Sequence, residues 1–192
     1  MRKIIFKIAV SEDGFIEGKN GELDWIIFDE ETNQAVDFAK NFDTVLYSRI
    51  TYEKFGVPRT INPFLSKEAG DYDTLMNTMK KYVFSRTLKK AEANVQLIKD
   101  NIEKEVRKIQ QEKGKDIWLC GGANLLKTFV DLDLVDEFIL AIHPRILGEG
   151  KPLFKNITTP LNLKLIKTDN LKSGVIVMHY LPASRVSKEP KK

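Results

Sequence analysis

The sequence predicts an α/β fold: one compact domain on a mixed sheet. Short apolar runs alternate with stretches of helical period. In Asp116 to Val130, Ile117, Trp118 and Leu119 read as a buried strand, while Leu125/Phe129 and Leu126/Val130 repeat at the four-residue spacing of one helix face. Three strand-like runs end in groups suited to phosphate: Arg49 and Thr51, Ser85 and Arg86, and the pair Gly121-Gly122. Toward the C-terminus, two runs flank a turn at Asn170 to Gly174 and read as an antiparallel hairpin, which makes the sheet mixed.

Taken in order, Lys3 to Val10 is a strand apolar enough for a central, doubly covered position. Ser11 to Ile27 is a long connection with three glycines and with Phe15, Ile16, Leu23 and Trp25 spaced through it. A connection that long inside a compact domain is read as a loop over a site. Asp29 caps a helix from Glu30 to Phe42 whose inward stripe is Glu31, Ala35, Phe38/Ala39 and Phe42. Asp43 to Ser48 is the next strand, and Arg49 to Phe55 opens a short helix. Gly56 to Pro63 is a loop, Glu68 to Met79 helical, Lys81 to Phe84 a third strand and Val95 to Ile98 a fourth. Asn101 to Glu112 is a charged helix, and Lys113 to Lys115 turns into the Asp116 strand. Val135 to Ile142 is a further strand, followed by a glycine-punctuated loop with a short strand. Leu161 to Thr168 and Val175 to Leu181 form the hairpin. The domain is expected over residues 1–183, with 184–192 a disordered tail.

Composition excludes several classes of function. The 192 residues, 42% hydrophobic and 30% charged, suit a globular domain with a sizeable core. No apolar run approaches the roughly 20 residues of a membrane span, and the N-terminus reads as a strand rather than a signal peptide. A cytoplasmic protein is the expectation. The net charge of +4 draws much of its excess from the C-terminal tail, so no nucleic-acid partner is expected. The single cysteine, Cys120, cannot pair within the chain. His143 and His179 lack any metal-ligand spacing, and no metal is expected.

The strongest chemical signal is the strand, glycine pair and helix around Gly121-Gly122. Glycines there let backbone approach a ligand, and the helix behind them directs unpaired N–H groups and its positive dipole end at the same place. Together with Arg49, Thr51, Ser85 and Arg86 this outlines a nucleotide site on the carboxyl edge of an open α/β sheet.

The segments KIAVSEDGFIEGKNGELDW, TVLYSRITYEKF, YVFSRTL and IWLCGGANLLKTFVDLDLVDEFILAIHPRILGEGKPLF resemble the dihydrofolate reductase fold superfamily. The branch they most resemble shares the C-terminal reductase domain of bifunctional riboflavin-biosynthesis enzymes, and the resemblance runs from Ile4 to Leu181. It implies a three-layer α/β/α sandwich around a mostly parallel sheet, an NADPH site, and hydride transfer to a small pteridine, pyrimidine or sugar-derived imine. By position, Gly121 and Gly122 match the cofactor-facing pair, joined in folate reductases by a cis peptide, and Ala123, Asn124 and Leu125 present the helix N-terminus to the pyrophosphate. Arg49 and Thr51 match cofactor-phosphate contacts, Ser85 and Arg86 the 2′-phosphate pocket, and Ala9 and Ile16 the nicotinamide surface. Trp25 and Phe28 are expected on the substrate side. For the acid that holds the substrate ring, counting from Trp25 gives Glu30, counting back from Ser48 gives Thr32, and helical phase selects Glu31 as the catalytic residue. Where the riboflavin-type domains carry a glutamate before the glycines, this chain has Cys120. A homodimer paired through the sheet-edge region is implied, and a nucleotide-binding homologue without turnover is the alternative.

Overall fold

The computed structural model describes residues 1–27, 35–56, 69–92, 94–158 and 160–186. An eight-stranded sheet organises them. Its strands are β1 (Ile4–Ser11), β3 (Phe42–Ser48), β4 (Lys80–Phe84), β5 (Val95–Ile98), β6 (Asp116–Leu119), β7 (Glu137–His143), β9 (Leu163–Asn170) and β10 (Ile176–Pro182), while β2 (Phe15–Glu17) and β8 (Lys151–Pro152) form a separate pair. The spatial order is β5-β4-β3-β6-β1-β7-β10-β9. From β5 to β7 the strands run parallel; β10 pairs antiparallel with both β7 and β9.

Alternation along each strand divides the core into two layers. Ile4, Phe6 and Val10 of β1 point into the larger cluster with Phe138 of β7 and with helices α4 (Ile102–Gln111) and α5 (Ala123–Asp131), which contribute Val106, Ile109, Leu126 and Phe129. The opposite face carries Val45, Tyr47, Val83 and Trp118, covered by α1 (Ala35–Ala39) and α3 (Ala69–Thr78) through Phe38, Ala39, Leu75 and Met76. Helices on both faces of a mostly parallel sheet, closed by an antiparallel hairpin, give the expected sandwich. A short helix, α2 (Arg49–Thr51), runs into one π turn at Tyr52–Gly56.

Several expectations are corrected. Phe42 begins β3 instead of ending the first helix. The Asn41 amide donates to the carbonyls of Asp37 and Phe38, which closes α1, and Phe42 stacks on Phe38 at 4.7 Å while pairing with Asp116. The Gly121-Gly122 peptide is trans; no cis bond occurs among the described residues. The tail expected from 184 starts with a helical turn, α6 (Ala183–Val186), where Arg185 donates to the Asp133 carbonyl at 2.6 Å. Among the described residues no helix is long and apolar enough to cross a membrane.

Candidate functional site

Four parallel strand ends lie side by side in the order β4, β3, β6, β1. Ser48 pairs with Phe84, and Leu119 pairs with both Leu46 and Phe6. The residues that follow these pairs, Ser85-Arg86, Arg49 and Cys120 to Gly122, therefore arrive on one edge, beside the second half of β1. Such an edge is where open α/β sheets bind ligands.

The glycine junction is held from the β3 side. Ser48 N–H donates to the Gly121 carbonyl at 3.2 Å, and the Thr51 hydroxyl donates to the same oxygen at 3.0 Å. Both glycines have positive φ, 69° and 90°. At Gly122 a Cβ would stand 2.8 Å from Ser48 Oγ and 3.2 Å from Thr51 Oγ1. Glycine is thus required there by its neighbours as well as by φ. Gly122 offers no side chain to cap α5, and Leu126 N–H, bonded to the Gly122 carbonyl, starts the helical ladder. The N–H groups of Ala123, Asn124 and Leu125 precede that first bond, the orphan donors of a helix start. Thr51, expected on the cofactor phosphate, has its hydroxyl engaged with Ser48 and the Gly121 carbonyl.

The charged groups of the edge stand outward. Arg49 pairs with Glu53 across one helical turn at 2.7 Å, and Arg86, highly exposed, lies 3.3 Å from Asp100. Surface pairs of this kind contribute roughly 0.2–1 kcal/mol, so neither carboxylate holds its arginine tightly. Ser85 Oγ accepts from the N–H groups of Thr87 and Leu88 at 3.1 and 2.9 Å and closes the turn that carries Arg86.

Over the end of β1, Ser11 Oγ donates to Asp13 and accepts from Phe15 N–H, while Asp13 receives Gly148 N–H at 2.7 Å. These bonds lower the Asp13 carboxyl below its ordinary value. Ile16 is buried in the larger cluster, whereas Ala9 lies by alternation on the other face of β1. Trp25 is buried, with its indole N–H on the Glu22 carbonyl and its ring edge-on to His143 at 5.6 Å. His143 Nδ1 accepts Ile27 N–H at 3.2 Å, so this histidine anchors the end of the loop. Phe28, Glu30 and Glu31 lie outside the described residues.

Sequence reasoning missed Lys7. It stands one step past the Phe6–Leu119 pair, beside Cys120, on the face under α1. Its ammonium is 4.1 Å from the centre of the Phe38 ring, and burial draws its pKa down to about 8. Phe38 in turn meets Trp118 edge-on at 5.3 Å. Burial pushes the neighbouring Cys120 thiol up to about 12, so it stays protonated. The signal was present in the sequence: a lysine interrupting the apolar run IIFKIAV. Among the described residues no group of three or more His, Cys, Asp or Glu side chains could hold a metal ion.

Residues 2–177 match the family described as the RibD C-terminal domain. The chain belongs to that family. This RibD C-terminal domain is 47% identical over 181 residues to the uncharacterized protein YyaP of Bacillus subtilis, covering 93% of this chain and 94% of YyaP. Its fold matches that of a protein of Shewanella sp. PV-4 assigned to riboflavin biosynthesis, with a TM-score of 0.75 at 23% identity over 95% of this chain and 99% of the other. It also matches dihydrofolate reductase from Enterococcus faecalis complexed with NADP(H), with a TM-score of 0.65 at 15% identity over 94% and 96%. This RibD C-terminal domain thus has the dihydrofolate reductase-like fold that its sequence motifs resemble.

Proposed function

We propose that this protein is an NADPH-dependent reductase acting on a small pteridine, pyrimidine or related C=N substrate. The observation that carries this reading is the uncapped N-terminus of α5 behind Gly122, set at the same sheet edge as Arg49, Ser85 and Arg86. That edge fits a dinucleotide phosphate: backbone donors and dipole face it, and the position of Gly122 leaves room for no Cβ. Ala123, Asn124 and Leu125 would hold the pyrophosphate, Arg49 would contact the cofactor phosphates, and Ser85 and Arg86 would hold the 2′-phosphate. Thr51 and Ser48 hold the glycine junction in place behind them. The bound nicotinamide supplies hydride. The chain itself positions the acceptor, excludes water with the Trp25 loop, and, through Glu31, holds a proton near the substrate nitrogen.

A titration with NADPH and NADH, followed through Trp25 and Trp118 fluorescence, tests the reading. Micromolar NADPH binding with much weaker NADH binding is expected; no binding of either removes it. The double substitution Arg49→Ala/Arg86→Ala should weaken NADPH far more than NADH, and equal losses would displace the 2′-phosphate assignment. Glu31→Gln should slow hydride transfer and leave NADPH affinity nearly intact. Binding without NADPH oxidation across folates, pterins and riboflavin precursors would favour the non-catalytic alternative.

We also propose a homodimer. The edge strand β9 is exposed along most of its length and carries Leu165 and Ile166, with Ile176 next to it. Exposed apolar edge strands are protected in native proteins. Light scattering that gives a monomer's mass would overturn the proposal.

A further inference from the structure

Lys7 is an amine inside a central strand, and among the described residues no hydrogen bond or ion pair reaches it; its polar contact is the face of Phe38. Withdrawing an ammonium from water without a counter-charge is costly, and a fold keeps such a group where something else completes it. Among the described residues the surroundings supply no anion. Cys120, beside it in register, stays a neutral thiol, and burial holds the hydroxyls of Tyr47 and Tyr72 protonated. Glu137 precedes by two residues the Ile139 that pairs with Lys7, but its carboxylate bonds His179 at 2.9 Å. Behind the Phe38 ring, the Trp118 indole N–H is buried with no hydrogen-bond partner. A cation and a second unsatisfied donor thus share one aromatic-lined face, adjacent to the strand ends that form the crevice.

We propose that this face receives the acidic group of a small unsaturated ring, with Lys7 supplying the counter-charge and Phe38 an aromatic wall. The substrate class is therefore a heterocyclic carboxylate rather than a cationic, amino-substituted ring. The electrostatic logic is one of completion: an ionised acid next to the half-buried Lys7 turns an unpaired, partly desolvated charge into a charge-assisted pair. Cys120 is part of the specificity. A carboxylate side chain at its position would neutralise Lys7 internally and close the site to an acidic ligand. The inference rests on reading this edge as the reductase site.

Paired probes test it. With NADPH present, orotate is compared with uracil, and benzoate with benzamide, by calorimetric titration of wild type and Lys7→Met. Each acid is expected to bind wild type at least tenfold more tightly than its neutral partner, and Lys7→Met should erase that preference. The same variant should melt at higher temperature than wild type without probe; a lower melting temperature would show that the fold itself satisfies Lys7 and would overturn the proposal. No preference for the acids in wild type, or a preference that survives Lys7→Met, overturns the proposal. The wild-type comparison alone decides if the variant fails to fold. NADPH binding without acid preference defeats this inference and leaves the reductase reading standing; acid preference without NADPH binding does the reverse.

Discussion

At the scale of single residues, Lys7 costs the fold stability that the proposed ligand would return. Lys7 has an amine pKa drawn from 10.5 to about 8, so between those values the unfolded chain holds a proton that the folded chain has released. Wild-type stability should therefore rise with pH across that window, and it gains nothing from Lys7 below it. Thermal melts at pH 7, 8.5 and 10 check this: Lys7→Met should exceed wild type most at pH 7, with the gap closing by pH 10. Gly122 illustrates the opposite constraint. Gly122→Ala places a Cβ against Ser48 and Thr51 at a φ of 90°, and should cost about 1–3 kcal/mol while also weakening NADPH binding. Melting and titration of one sample measure both losses.

At the scale of elements, the loop after β1 is fastened rather than free. Glu17, at the end of β2, bridges Lys54 at 3.3 Å and Lys151 at 3.1 Å, tying the loop to the π turn and to β8. Partly exposed pairs each contribute roughly 0.2–1 kcal/mol. Glu17→Gln should raise amide exchange over residues 14–24 by about fivefold through easier local opening, with α4 and α5 unaffected. Uniform change across the chain would show that the bridge does not act locally. These elements were unequally legible in the sequence. β5, a short run between turn signals, lies where it was expected, as does α5, whose apolar face repeats every four residues. The end of α1 was not legible, because Phe42 suits a helix stripe and a strand equally and only its stacking on Phe38 and pairing with Asp116 decide between them. β2 was hidden inside the loop, since its pairing with β8 joins segments more than a hundred residues apart.

Across the whole molecule, the Arg2 network and the proposed site lie at opposite ends of the sheet strands. At the amino edge, buried Arg2 donates to the Asp43 carboxylate, to Thr44 and to the Lys115 carbonyl, linking β1, β3 and the turn before β6. Arg2→Ala should lower stability by about 3 kcal/mol and leave NADPH affinity unchanged, as a denaturation midpoint and a titration would show together. The sequence by itself determined the alternation of strands and helices, the mixed sheet and the glycine junction, because periodicity and the backbone freedom of glycine are local properties. It also placed side chains suited to phosphate after particular strands. Tertiary structure alone decided that these ends are neighbours, that Thr51 serves the glycine junction, and that Lys7 lies beside a neutral Cys120 without a described counter-charge. Such facts depend on strand order and register, and on which distant groups are brought close enough to share a proton or a charge.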